Sequence, residues 1–374
     1  MNLVDFSDAC RAFLTAEDGR SEHTWAAARA FHRRRHDAGL AGITVPVVFG
    51  GLGLTADHQR AFDEEAAGRD LPLGFHTITL GMCVPVLLEH GTDEQRRRHV
   101  PAMLRGDEVW CQLFSEPNAG SDVAAAQTAA TRDGDEWMLR GQKVWTSSAL
   151  ESEMGMCIAR TDPALPKHRG LTMFAMPMGA HGVTVRPLVQ ATGDAGFNEV
   201  FLDDVRLPLD AVIGGPGQGW SVVISMLMNE RMALGGAGNS LLSGRTAAAI
   251  AAGGEPAVAA DLYTREEILR VLGARVAGGP AGSLAKLFGS DLVRRAAEAR
   301  VHAFGARAAA WLPGDADAVA AARDFVAAPS LSIAGGTSEV QRTILGERVL
   351  GLPREPDAWR DVPFRDVPQN RPPR

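Results

Sequence analysis

The sequence predicts an α+β chain in three parts: an N-terminal helical domain, a middle antiparallel β-barrel or sandwich domain, and a C-terminal helical bundle. Three observations predict it. Apolar spacing drops from three-to-four residues towards two near Trp110, and returns to three-to-four after Gly219. Asp-Gly, Gly-Asp and Pro punctuate the middle stretch as short strands require. The 374 residues suffice for two or three domains.

The elements follow in order. Residues 1–109 read as helices, with amphipathic segments such as HQRAFDEEAAGRD and DEQRRRHVPAMLRG, broken at VPVVFGGLGL by Pro and Gly. The uncharged run Leu71–Leu88 contains Pro72, His76 and Pro85, which suits a buried core helix better than a membrane span. The arginine runs 33–35 and 96–98 read as solvated helix faces. Residues 110–213 carry the strand-like runs EWMLRGQKVWTSS, MGMCIARTD, LTMFAMPM, GVTVRPLV and FNEVFLDDVRLP. Residues 214–355 return to helices, and the proline-rich 356–374 read as an extended tail.

Composition narrows the function. Apolar residues make up 45% and charged residues 22%, so a packed core is expected rather than disorder. A net charge of −7 argues against a nucleic-acid partner. Four scattered cysteines, with no CxxC pair, suggest neither a metal site nor a disulfide framework. MNLVDFSDAC carries acids where a secretory leader carries bases, so a cytoplasmic location is expected. Only three lysines occur, Lys143, Lys167 and Lys286, a bias that reads as codon usage.

No phosphate loop, dinucleotide fingerprint, zinc-protease or nucleophile-elbow motif occurs. Two stretches stand out. WCQLFSEPNAGSDVAAAQT (110–128), followed by GQKVWTSS (141–148), is a strand end running into a turn with small hydroxyl residues and exposed amides. It suits a planar polar ring, with Trp145 over one face; a plain β turn with Asp122 as a cap and Trp145 in the core also satisfies the residues. LSIAGGTSEVQRTILGERVLGLPR (331–354) contains a helix start whose free amides suit a carbonyl oxygen or phosphate, or simply a well-capped terminal helix.

Together these stretches resemble the signature segments of the acyl-CoA dehydrogenase family. HGTDEQRRRHVPAMLRGDEVW, FNEVFLDDVRLP and GERVLGLPR extend the resemblance over nearly the whole chain. The resemblance implies FAD held between the β domain and the C-terminal bundle. It implies flavin contacts at Gln112, Phe114, Ser115, Trp145, Ser147, Thr337 and Glu339, with Ser121 near flavin and substrate and Gly336 beside the thioester. Many members place a glutamate directly before the Gly-Thr-Ser of the second signature, but here that position is Gly335. A subset places the base on the first long helix of the C-terminal domain, where this chain has Glu230 and the substrate-side Arg231 in LMNERMALGG. Partial burial among methionines and leucines would suit Glu230 to general-base work.

The implied reaction is α,β-dehydrogenation of an acyl-CoA thioester to the trans-2-enoyl thioester. Glu230 takes the α proton, hydride passes to flavin, and an electron-transferring flavoprotein accepts the electrons. A carrier-protein-bound acyl thioester and a non-catalytic structural subunit are the alternatives. Two departures bear on assembly. The family's Arg-x-x-Phe-Gly motif is absent between Arg231 and Pro280, and HAFGARA replaces its Gln-x-x-Gly-Gly segment. Both motifs serve a neighbouring subunit's flavin, so either a homo-oligomer or a hetero-oligomer of two related chains sharing one FAD is expected.

Overall fold

A computed structural model describes residues 2–20, 22–235, 249, 252–253, 255–276, 280–312 and 314–368, without the side chains of 231–235 and 274. The chain divides into two units. One holds residues 1–189, 195–226 and 356–374; the other holds 190–194 and 227–355.

The first unit opens with α1 (Leu3–Glu17), α2 (Trp25–Asp37), α3 (Ala56–Ala66), α4 (Val84–His90) and α5 (Asp93–Arg105). Asn2 caps α1 by accepting the Asp5 N–H at 2.9 Å. Phe6, Cys10 and Leu14 recur every four residues, so one face of α1 buries against Leu40, Ile43 and Phe62. Thr92 and Gln95 cap α5 reciprocally. The Gln95 amide also donates to the carbonyls of Asp210 (2.8 Å) and Val212 (3.0 Å), which ties α5 to the end of the β domain. His32 and His76 meet in the interior, ring centroids 4.0 Å apart, with no hydrogen bond to any ring nitrogen.

Two sequence expectations change here. The run 71–88 is not one helix: a 3₁₀ turn (Pro72–His76) and a π turn (Thr79–Cys83) precede α4. Pro85 has no N–H with which to continue an α ladder, and the wider turn absorbs the break. The face at 33–35 is also not wholly solvated. Arg35 turns inward, donates to the Leu40 carbonyl at 2.9 Å and lies over the Phe62 ring at 3.9 Å. Three successive residues span most of a helical turn, so one of them must face the core.

The β domain contains β1 (Trp110–Leu113), β2 (Ala129–Asp133), β3 (Glu136–Ser147), β4 (Met154–Arg160), β5 (Leu171–Pro177), β6 (Val183–Leu188), β7 (Phe197–Pro208) and β8 (Val212–Ile213). Their order is β6-β7-β3-β2-β4-β5-β8, and β1 pairs with β4. Most neighbours are antiparallel, as the alternating pattern predicts, but β1 runs parallel to β4, and β2 meets β4 in parallel at one residue. The sheet is therefore mixed, because β1 reaches β4 through a long connection rather than a hairpin. Leu113, Leu139, Phe174, Met176, Val200 and Val205 form its core. All four cysteines are buried free thiols.

The segment expected as an extended tail rests on this domain. Phe364 N–H donates to the Leu165 carbonyl at 2.9 Å, and the Phe364 ring lies 3.8 Å from the Arg160 guanidinium.

The helix α6 (Gly219–Gly235) starts in the first unit, and its last residues belong to the second. There follow α7 (Pro256–Arg275), α8 (Gly282–Phe304), α9 (Ala306–Ala310), α10 (Ala316–Ala327) and α11 (Ser338–Ile344). Leu262 and Leu269 of α7 pack on Leu292 and Ala296 of α8. No helix among the described residues is long and apolar enough to cross a membrane.

Candidate functional site

In the β unit the two halves of the first signature are stitched side by side. The Val144 N–H donates to the Ser115 carbonyl at 2.9 Å. Beneath that bond lies a buried ion pair. The Lys143 ammonium, fully buried, donates to Glu116 Oε1 at 2.7 Å and to the Phe114 carbonyl at 3.2 Å. The same carboxylate accepts the backbone N–H groups of Gln127 (2.6 Å) and Thr128 (2.9 Å). Burial would raise the Glu116 carboxyl, but Lys143 and these donors bring it below the usual carboxylate range. One charge pair thus fixes the turn from Ser115 to Thr128, which carries Ser121, against the strand that carries Trp145 and Ser147.

Trp145 is not in the core. The register of β3 against β7 slips by one residue between Lys143–Val200 and Thr146–Asn198. At this bulge Trp145 adopts φ +60°, and the residue is 60% exposed, with its ring edge-on to Phe197 at 6.0 Å. A positive φ is costly for a bulky side chain, and bulges of this kind re-aim side chains. Gln112, Ser115 and Ser147 are half-buried, Ser121 is exposed, and the Phe114 ring is buried. Asp122 does not cap the segment after it; it pairs with Lys167 at 2.8 Å.

The second signature lies in the helical unit. Gly335 and Gly336 both take positive φ, +67° and +89°, where glycine is the least strained residue. Thr337 caps α11 by accepting the Val340 N–H at 3.3 Å. Buried Gln341 reaches back, its amide donating to the carbonyls of Gly335 (2.7 Å) and Gly336 (3.3 Å). Glu339 is exposed in the first turn of α11, its carboxyl held below the ordinary range by its own backbone N–H and the Thr337 hydroxyl.

Sequence reasoning passed over Lys286. From α8 its ammonium donates to the Gly336 carbonyl at 2.8 Å, and the residue is buried. Desolvation pulls its proton affinity down, while the fields of Glu230 and Glu339 oppose the change. Glu230, half-buried on α6, therefore shares an electrostatic neighbourhood with the Gly335–Gly336 turn. The Arg231 side chain lies outside the described residues. A signal for the missed lysines did exist. In a chain that writes nearly every cation as arginine, Lys143, Lys167 and Lys286 all hold specific acceptors, where a compact ammonium and a planar guanidinium are not interchangeable.

Comparison with known proteins covers almost the full length. The models of the acyl-CoA dehydrogenase N-terminal, middle and C-terminal domains match residues 3–107, 111–205 and 256–350. Acyl-CoA dehydrogenase IpdE1 of Mycobacterium tuberculosis is 36% identical over 353 residues, covering 90% of this chain and 91% of that protein. Acyl-CoA dehydrogenase FadE34 of the same organism is 38% identical over 350 residues, covering 85% of this chain and 45% of its own length. Among solved structures, the Tcur3481-Tcur3483 steroid ACAD superposes with a TM-score of 0.80 at 26% identity, covering 94% of this chain and 98% of that one. The ChsE4-ChsE5 complex from Mycobacterium tuberculosis gives a TM-score of 0.78 at 28% identity, with 94% and 98% covered.

Proposed function

The chain belongs to the acyl-CoA dehydrogenase family, and from that premise we propose that it dehydrogenates an acyl-CoA thioester at the α,β bond, with Glu230 as the base and FAD as the cofactor. The observation that carries this reading is the placement of Glu230 in the same charged neighbourhood as the two-glycine turn of the second signature.

The residues fit FAD. Trp145 offers an exposed ring at a strained bulge, where burial in the core would have been the bland outcome. Gln112 on β1, Ser147 on β3 and Ser115 in the turn after β1 offer half-buried polar groups. Thr337, Gly336 and Glu339 offer a helix start, and the family resemblance assigns both sets to one cofactor. FAD, when bound, supplies the two-electron acceptor for the β hydrogen.

The chain's own residues supply the rest. Glu230 takes the α proton on its carboxylate. As that proton leaves, negative charge grows on the thioester oxygen, which needs donors already in place. The Gly335 N–H is such a donor, because glycine removes the family's glutamate side chain but keeps the peptide. Trp145 helps keep water from the reacting carbons. Electrons then pass to an electron-transferring flavoprotein.

Substitution Glu230→Gln tests the assignment. The variant should keep its flavin and lose bleaching of the flavin band by acyl-CoA, by roughly a thousandfold or more for a general base. Bleaching at the wild-type rate would sink it. A hetero-oligomeric form of the same enzyme is the second reading. Two observations favour it: the neighbour-serving motifs are missing from this sequence, and the ChsE4-ChsE5 complex, made of two named chains, shares the fold. Flavin counted per polypeptide in the chain expressed alone separates the forms. About one flavin per chain means a self-sufficient homo-oligomer, and little or none means a missing related chain. The related chain's presence would leave the acyl-CoA reaction class unchanged.

A further inference from the structure

We infer that Lys286 is a positioning residue for the proposed reaction: its ammonium pins the Gly336 carbonyl, and so sets the turn that is to meet the acyl thioester in register with Glu230. The inference rests on the Glu230 reading and adds a group that no motif supplied.

The placement of Lys286 is costly. Along α8 the buried stripe runs Ser283, Ala285, Lys286, Gly289, Ser290, Val293 and Ala297, so Lys286 points into the helical unit and does not reach along the surface to water. An apolar side chain of similar length would fill that position without desolvating a charge. Among the described residues the ammonium makes one hydrogen bond, to Gly336 at 2.8 Å, and no ion pair. That single bond falls on the two-glycine turn of the second signature, at φ +67° and +89°. Gln341 holds the Gly336 carbonyl as well, at 3.3 Å, and the Gly335 carbonyl at 2.7 Å. The two side chains clamp successive peptide planes, which fixes where the N–H groups of the turn point.

The charge has a second consequence. The acidic groups whose fields reach Lys286 are Glu230 from α6 and Glu339 from α11. By reciprocity, the fixed cation favours the ionised form of Glu230, the form able to accept the α proton. Lysine suits both tasks, because its compact ammonium can hold one carbonyl and still present charge to the side.

The test uses Lys286→Met, which removes donor and charge at nearly the same length, and Lys286→Arg, which restores both. The first readout is flavin reduction by acyl-CoA in rapid mixing across pH. With Lys286→Met the limiting rate should fall roughly 10–100-fold, the cost of a misplaced donor. The acid limb of its pH profile should move up as Glu230 loses the field of this cation. Lys286→Arg should return the limb and part of the rate. The second readout needs no turnover: amide exchange over 335–341 should quicken by about tenfold or more in Lys286→Met. Where Lys286→Met does not fold, Lys286→Gln carries the test; it lacks the charge and is one bond shorter, and the same limb shift is required. An unmoved acid limb with a rate within about twofold of wild type would overturn the inference. Failure of flavin-loaded wild-type protein, co-expressed with a related chain where it holds no flavin alone, to bleach with any acyl-CoA would instead overturn the Glu230 reading, before Lys286 is touched.

Discussion

Replacing Lys143 by methionine should loosen the β domain far more than an average substitution. The ammonium is fully buried and bonds Glu116 Oε1 at 2.7 Å and the Phe114 carbonyl at 3.2 Å. Methionine fills the space but leaves a buried carboxylate whose remaining partners are the two N–H groups of Gln127 and Thr128. Removing one partner of a buried pair costs about 3–5 kcal/mol. In a domain of this size each kcal/mol moves Tm by roughly 2–4 °C, so a fall of roughly 6–20 °C is expected in thermal unfolding followed by tryptophan fluorescence. The acid limb should move as well. In wild type the lowered Glu116 carboxyl contributes stability that is present above its ordinary value of 4.5 and is lost as pH falls through its folded value. In Lys143→Met the uncompensated carboxyl takes up its proton at higher pH, so this term is lost from the acid limb and the variant's stability deficit should shrink as pH falls. The double variant Lys143→Met with Glu116→Gln removes both charges and should be more stable than the lysine variant alone, a coupling of about 2 kcal/mol or more. A fall in Tm under about 2 °C for Lys143→Met, or strict additivity in the double variant, would refute the claim that this pair holds the signature turn.

Two further outcomes are expected. Burial pushes His76 down from 6.5 to about 4, so between those values the unfolded chain binds a proton that the folded chain refuses. Stability should therefore be fully present above pH 6.5 and decline as pH falls to about 4. The loss should reach about 3 kcal/mol, and a His76→Leu variant should show a flatter slope in denaturant titrations across that range. Gly336→Ala should cost roughly 1–3 kcal/mol, since its φ is +89° and the added Cβ would meet Gln341 Nε2 at 2.7 Å; a matching loss of acyl-CoA binding by calorimetry checks that the turn serves the ligand.

Much of this was legible from spacing alone. FNEVFLDDVRLP reads as a strand and is β7 from Phe197 to Pro208, its alternation changing phase at Asp203–Asp204. The glycines before Thr337 announced a helix start, and Thr337 caps α11. What local pattern could not reach was pairing between distant segments. The parallel partner of β1 lies 44 residues on, past β2 and β3, and no two-residue alternation encodes it. Charged residues misled in the same way. Arg35 in an arginine run read as solvent-facing, and Lys143 and Lys286 read only as codon usage, because burial of a charge depends on an acceptor supplied by another element. For Trp145 the residues alone left a ring face or the core open, and the one-residue slip at the bulge turns it outward.

Residues 363–366 give the chain a boundary that homology would draw in the wrong place. The C-terminal family match stops at residue 350, and a polypeptide cut there would keep every assigned site residue. It would lose Phe364, which covers Arg160. That guanidinium spans the carbonyls of Ala124 (2.6 Å), Ala126 (3.2 Å) and Lys167 (2.6 Å), so it splints the backbone just past Ser121. With its aromatic lid gone, water would compete for those carbonyls. By packing, then, residues 363–366 are a piece of the middle domain, sealing the loop that the first signature opened.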